Sequence, residues 1–359
     1  MARAEQIDDI NLETLKRFRK GKWIDISASF QDYFFARQVL KQKRDSVDGG
    51  TFLSYEVQVR PIESYRDSGL YSDDSVATTD IFKRAYVPWH MSQASYTYDV
   101  FESAFQGNDE VKIIDVLQGR IHAMWTDYYE KMENRFWGAA TSPSSDPAEF
   151  YGLKTYIVQS STAAFGFNGG DATGFTSAGV ANILRSTYTA LKNGTFTYQS
   201  ISDDDALAKM VEAIDKSNFM APHDYTQLDG GEPDYGIYTV WSVKNRCERL
   251  VKAQNDNLGR ELWRNRPMLK GIPIEWVPAL SNPYLRDGST ANPSYDSNDP
   301  IYGINWKTTK ITFNKGCNMV LGSPIRRAGK HNVRDVFLDS SQQLEVRDTR
   351  TCWVGKKAA

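Results

Sequence analysis

Residues 78–100 read TTDIFKRAYVPWHMSQASYTYDV, and residues 51–60 read TFLSYEVQVR. In the earlier run Leu53, Tyr55, Val57 and Val59 alternate with Ser54, Glu56, Gln58 and Arg60. That is the period of a strand with one apolar and one solvated face. The later run carries Phe82, Arg84 and Tyr86, then Tyr96, Tyr98 and Val100, again at alternate positions. The intervening PIESYRDSGLYSDDSVATTD is polar, acidic and rich in turn formers. Two long strands at about 51–60 and 80–100, joined by a loose tip, are therefore expected. A two-stranded ribbon is marginal in water by itself, so its apolar face needs a partner.

The rest of the chain bounds what that partner is. With 359 residues, 40% of them hydrophobic and 25% charged, the chain can bury a substantial core. A net charge of −2 lacks the basic excess of a dedicated nucleic-acid binder. Aromatic residues make up 13%, a content that suits either a Tyr-rich core or half-solvated subunit interfaces. Cys247, Cys317 and Cys352 are far apart and show neither a disulfide framework nor zinc spacing, so reduced thiols are expected. The N-terminal stretch has no signal-peptide core, and no apolar run is long enough to span a bilayer.

Periodicity organises the chain into an α+β pattern. Helical spacing covers Ile7 to Phe18, and a second helix is expected over Phe30–Lys43, ended by DSVDGG. Residues 109–137 carry the strongest helical signal, with Ile114, Leu117, Ile121, Met124, Trp125, Tyr128, Met132 and Phe136 at three- and four-residue steps. Asn108 or Asp109 can cap its start and Gly138 its end. Further helices are expected at about 177–192, 203–217 and 238–259. Strands are expected at 272–278, 307–313 and 319–324, and the last two in DVFLD and QLEVRD. TSPSSDPAEF marks a boundary, and 281–300 is a turn-rich loop.

No catalytic constellation emerges. His90, His122, His223 and His331 pair with no second ligand at metal spacing. GFNGGDATGFTSAG at 166–179 precedes a helical signal but lacks the Lys-Ser/Thr pair of a phosphate loop. The aspartates at 203–205 suit a helix start better than a cation. The basic runs RFRKGK and PIRRAGKHNVR read as solvated faces or intersubunit salt bridges. No cofactor is expected.

An arm, a strand excursion, a long helix and a compact remainder, in that order, resemble the major capsid proteins of tailed double-stranded DNA bacteriophages with the Hong Kong 97-type fold. The likeness rests on FKRAYVPWHMSQASYTYD (82–99), EKMENRFWGAA (130–140), KAQNDNLGRELW (252–263), KGIPIEWVPAL (270–280) and NDPIYGINW (298–306). The resemblance implies an N-terminal arm (1–50), an extended β-ribbon loop (51–102) and a peripheral domain (103–165) whose spine helix covers 109–137. It further implies a mainly axial domain (166–280) and return strands of the peripheral domain (281–359). The ribbon would lie over a neighbouring subunit, making Tyr55, Val57, Lys83, Arg84, Tyr86, Trp89, Tyr96 and Tyr98 interface residues. Partners would be copies of the chain in pentamers and hexamers, with separate scaffold, portal and decoration proteins. Double-stranded DNA would be enclosed without sequence-specific binding, with no membrane involved. Lys83 with Asn318 or Asn332 would be the candidates for the isopeptide bond of one branch, although nothing marks them for it. The competing expectations are an enzyme with an unrecognised site, or a monomeric or small-oligomer binding module with an aromatic surface.

Overall fold

The computed structural model describes residues 27–42, 44–60, 62, 65, 67, 80–101, 110–219, 234–253, 267–285 and 289–358, with backbone alone at 42, 110–117 and 251–253. Helix α1 (Glu110–Trp137) spans 28 residues, within one residue of the expected 109–137. At 1.5 Å per residue it runs about 42 Å. Met124, Tyr128, Met132 and Phe136 form its buried stripe, joined at the C-terminal end by Glu133 and Trp137. It ends at Gly138, whose N–H turns back to the Arg135 carbonyl at 3.2 Å.

Two sheets flank this spine. The first is centred on β13 (Val333–Val346). Strand β4 (His90–Asp99) pairs with it along one side, from Val333↔Asp99 to Gln342↔His90. On its other side lie β10 (Thr309–Asn314), β11 (Val320–Leu321) and β12 (Ile325–Arg326) in turn, and β1 (Arg44–Val47) adds to β10 in parallel. The Gln342 amide donates to the Tyr128 hydroxyl at 2.9 Å, tying this sheet to α1. The second sheet has the order β5 (Gly194–Tyr198), β14 (Trp353–Lys357), β9 (Ile301–Asn305), β6 (Tyr235–Thr239), β8 (Ile272–Trp276), β7 (Met268–Leu269). Helix α2 (Ala208–Ser217) packs on β5 and β14, and α3 (Trp241–Ala253) on β8. After its passage from β4 through α1 to β5, the chain crosses between the sheets twice more, from β9 to β10 and from β13 to β14. The Thr308 and Thr351 hydroxyls, 2.9 Å apart, join the two crossings.

The ribbon is β2 (Phe52–Gln58) against β3 (Phe82–Pro88), antiparallel from Phe52↔Pro88 to Gln58↔Phe82. Here the sequence expectation needs correction: 80–100 is two strands, not one. Pro88 cannot donate to a continuing ladder. Trp89 then turns inward, its indole N–H reaching the Gly50 carbonyl at 2.9 Å, and β4 pairs with β13 instead of with β2. Alternation reports which way side chains face, and it is silent about the partner strand.

Other expectations shift as well. Residues 177–192 form turns with only Thr189–Leu191 in a 3₁₀ turn. Ala181 and Asn182 adopt positive φ (56° and 62°), which no right-handed helix accommodates. Gly179, at φ 75°, sits where a Cβ would lie 2.2 Å from the Ile183 carbonyl oxygen. The helix expected at 238–259 starts at Trp241, because Tyr238 and Thr239 belong to β6. DVFLD and the QLEV of QLEVRD belong to the single strand β13. The 203–217 helix is present as a π turn (Asp203–Leu207) running into α2. The Phe30–Lys43 helix contracts to a π turn at Phe35–Val39 followed by Leu40–Gln42. The Ile7–Phe18 helix and the caps at 108–109 lie outside the described residues.

Strands β5, β9 and β14 were not foreseen. Every residue of β9 is buried, as are four of five in β5 and the first three of β14. Strands buried on both faces lose the alternation that betrays a strand. Gly303 in β9 lies in register opposite Trp353, and a Cβ there would come within 2.1 Å of the indole. Gly303→Ala is therefore expected to cost about 1–3 kcal/mol through overpacking, seen as a lower urea midpoint with an unchanged slope.

Candidate assembly surface

The ribbon base has two unlike faces. Leu53, Ala85 and Val87 are buried, and Tyr55 and Val57 pack half-buried on the core of their own chain. The Tyr55 hydroxyl donates to the Val346 carbonyl at 3.2 Å, and the Tyr86 N–H to the Ala181 carbonyl at 3.0 Å. Burial raises the Tyr55 phenol above its ordinary value. Below them lies a cavity of about 30 Å³ between Tyr55, Val57, Val180, Ile183 and Leu191. Its floor is Arg185, whose guanidinium donates to the carbonyls of Tyr156 (2.6 Å) and Gly170 (2.8 Å). Burial lowers Arg185 to about 10, so it stays charged at neutral pH and fastens the loop beneath the ribbon.

The opposite face is left open. Phe52 is 53% exposed, Phe82 51% and Tyr86 42%. The Arg84 guanidinium lies 5.6 Å over the Tyr86 ring and donates to the Ser54 hydroxyl at 3.3 Å. This face, where Ser54, Glu56 and Gln58 stand opposite Tyr86, Arg84 and Phe82, combines exposed rings with an arginine over a tyrosine, side-chain types enriched at interfaces.

Of the eight expected interface residues, Arg84 and Tyr86 stand on this open face. Tyr55 and Val57 face the chain's own core, Lys83 is half-buried at the inner register, and Trp89 is buried. Trp89 is thus a packing residue of its own subunit. Tyr96 and Tyr98, stacked with centroids 6.4 Å apart, sit half-buried on β4 away from the ribbon. Sequence reasoning missed Phe52, which is out of phase with the Leu53 series, and Met91, 76% exposed on β4. Asn332 hydrogen-bonds through its carbonyl to the Val100 N–H.

Residues 30–39, within the expected arm, also find a partner in their own chain. Phe30, Phe34, Phe35 and Val39 are buried. Phe34 packs on Trp137, Tyr238 and Trp306 with centroids 5.5, 4.5 and 6.0 Å away. Glu133 on α1 accepts from the Phe35 N–H at 2.7 Å and from the Trp137 indole at 2.8 Å. Complete burial raises its carboxyl to about 8.

The remaining chemistry is structural. His90 is buried, with Nδ1 2.8 Å from the Ala148 carbonyl, and desolvation lowers its pKa. His122 is exposed on α1, His331 is exposed before β13, and His223 lies outside the described residues. Asp205 accepts from the Gln199 and Ser200 N–H groups and pairs with Lys209 at 2.7 Å. Among the described residues no three His, Cys, Asp or Glu converge as a metal set, and no helix is long and apolar enough to cross a membrane. Cys247 and Cys352 are buried free thiols and Cys317 an exposed one.

No protein-family model and no curated protein matches this sequence. Solved structures do. The cyanophage A-1(L) capsid subunit aligns with a TM-score of 0.60 at 13% identity, over 96% of this chain and 98% of that one. The capsid of a native GTA particle aligns at 0.55 and 14% identity, over 96% of both chains. The chain has the phage-capsid fold. A third match, the holo-SrpI encapsulin complex of Synechococcus elongatus PCC 7942, aligns at 0.51 and 11% identity over 97% of this chain and 94% of that one. The α+β, Hong Kong 97-like fold that the sequence resembles is thus shared with these structures, whose alignments cover 96–97% of this chain.

Proposed function

We propose that the chain is a major capsid protein whose copies form the pentamers and hexamers of an icosahedral shell around double-stranded DNA. The observation that carries this reading is the open outer face of the ribbon base, with Phe52, Phe82, Arg84 and Tyr86 exposed. A soluble monomer gains nothing from three large exposed rings on one side of a ribbon. In the shell this face lies against a neighbour, and the proposed division into arm (1–50), extended loop (51–102), peripheral domain (103–165, returning at 281–359) and axial domain (166–280) follows. Binding work replaces catalysis. Scaffold, portal and decoration proteins are the proposed further partners, and the virion, assembled in the host cytoplasm, is the proposed location.

Light scattering after size exclusion, with negative-stain microscopy, tests this directly. Large closed particles, tubes or capsomer rings are expected to accumulate as concentration rises, and particles from phage-producing cells are expected to hold nuclease-resistant double-stranded DNA. Phe52→Ser with Tyr86→Ser is expected to suppress particles at least ~10-fold while leaving the unfolding midpoint within ~0.5 kcal/mol. A chain that stays monomeric at every concentration, even when coexpressed with neighbouring genes, would end this reading.

A further inference from the structure

The cavity beneath the ribbon base borders a buried charge that its own chain answers only in part. Arg185 is 3% exposed and lines this space. A guanidinium carries five N–H donors and no acceptor. Nη1 donates to the Gly170 carbonyl at 2.8 Å and to Asn193 Oδ1 at 3.4 Å, and Nη2 donates to the Tyr156 carbonyl at 2.6 Å. Among the described residues no acceptor serves Nε or the second N–H of Nη2, and no carboxylate lies within ion-pair distance of the guanidinium. Two carboxylates of the neighbourhood are engaged elsewhere. Asp171, half-buried, accepts from the Arg185 backbone N–H at 3.1 and 3.3 Å, and Glu345 pairs with Arg347 at the edge of the cavity.

Burying a full charge is costly unless an opposite charge or a complete set of hydrogen bonds answers it. At about 30 Å³ the space beside Arg185 admits one monatomic anion or a pair of waters, and it is too small for phosphate or sulfate. Its walls are otherwise the apolar side chains of Val57, Val180, Ile183 and Leu191. Water would satisfy the unshared N–H groups, but it leaves the charge unbalanced and needs acceptors for its own hydrogens. A guest that only accepts and carries one negative charge meets both demands. A third donor is at hand in Tyr55. Its hydroxyl reaches the Val346 carbonyl at 3.2 Å, long for an O–H···O bond, so its hydrogen is the one most easily turned inward. The Tyr156 hydroxyl is committed to the Leu344 carbonyl at 2.9 Å, and that of Thr349 to the Leu191 carbonyl.

We propose that this cavity binds a single halide ion, chloride in ordinary solutions, held by the unshared Nε and Nη2 hydrogens of Arg185 and by the Tyr55 hydroxyl. The site lies within one chain and does not depend on the shell reading. Its consequence falls on the ribbon. Tyr55 and Val57 belong to β2, whereas Val180 and Ile183 belong to the loop whose Ala181 carbonyl takes the Tyr86 N–H at 3.0 Å. An ion lodged between them joins ribbon base, loop and core, so halide binding and the seating of the ribbon reinforce one another.

Urea unfolding of the full-length chain at fixed ionic strength, with sodium chloride exchanged for sodium gluconate, tests the site. Chloride is expected to raise the folding equilibrium constant saturably, about tenfold at ten times the half-saturating concentration. Bromide is expected to act alike and the bulky gluconate not at all. Chlorine NMR supplies a second readout: exchange with the site broadens the line of the free ion, and bromide removes that broadening by competition. Val57→Ile leaves Arg185 intact and places one more methylene in the cavity, so it is expected to fold and to lose both responses. Arg185→Lys keeps the charge without the fork, and its half-saturating concentration is expected to rise ~10-fold or more. Equal unfolding midpoints in chloride and gluconate, with no broadening, would overturn the proposal and leave the cavity to water. A chloride response unchanged in both variants would overturn it too, because the ion would then bind elsewhere on the chain.

Discussion

Trp137→Ala is expected to lower the unfolding free energy by about 4 kcal/mol, the upper range for a buried aromatic. Trp137 is fully buried at the C-terminal end of the spine. Its ring lies 5.5 Å from Phe34 of the arm, 5.1 Å from Phe136, and 5.9 Å from both Tyr238 and Tyr302 of the second sheet. One side chain thus joins three parts of the molecule. Its removal opens a cavity among rigid aromatic neighbours that cannot collapse into it. It also strips Glu133 Oε1 of its indole donor inside the core. Trp137→Phe keeps most of the packing and loses the hydrogen bond, so about 1–2 kcal/mol is expected. Urea unfolding reads both values, and limited proteolysis of residues 27–42 should report arm release in the alanine variant. A loss below 1 kcal/mol would mean that the arm does not depend on this cluster.

Stability is also expected to fall as pH rises from about 4.5 to 8, because of Glu133. Burial raises its carboxyl from the ordinary 4.5 to about 8, with the Phe35 and Trp137 donors only partly offsetting the desolvation. Between those two values the folded chain holds a proton that the unfolded chain has released. Folding is then favoured by protonation, and its contribution is full below 4.5 and lost as pH passes 8. At about 1.4 kcal/mol per pH unit, the contribution is on the order of 5 kcal/mol across the window. Glu133→Gln removes the titration, so the difference between the two chains' unfolding free energies should carry this slope. Parallel pH profiles for both would contradict the assignment.

How far the fold was legible depended on whether each element kept one face in water. Helix α1 announced itself because Met124, Tyr128, Met132 and Phe136 face the core while His122, Ala123 and Asp127 face solvent. The two-faced β2 was equally plain. Strands β9 and β14, sunk in the core, gave no such contrast, and the turns at 180–183 depend on backbone angles that composition hardly constrains. The candidate surface was half visible. Of the residues the resemblance implies, Arg84 and Tyr86 stand on the open side, whereas Tyr55 and Val57 pack half-buried on the chain's own core. The open side of the ribbon is the one that looked solvated. The basic run at 324–334 reads as a solvated face or an intersubunit salt bridge; the Arg326–Arg334 opposition needed the strand register.

The course of β13 bears on how such a subunit resists being stretched. Ten register pairs tie it to β4 and five to β10 before it crosses into the second sheet as β14. Tension applied along the strand loads these ladders in shear. Their hydrogen bonds must then give way together, whereas a pull at right angles would unzip them singly. The subunit is mechanically strongest along the axis that its longest strand defines.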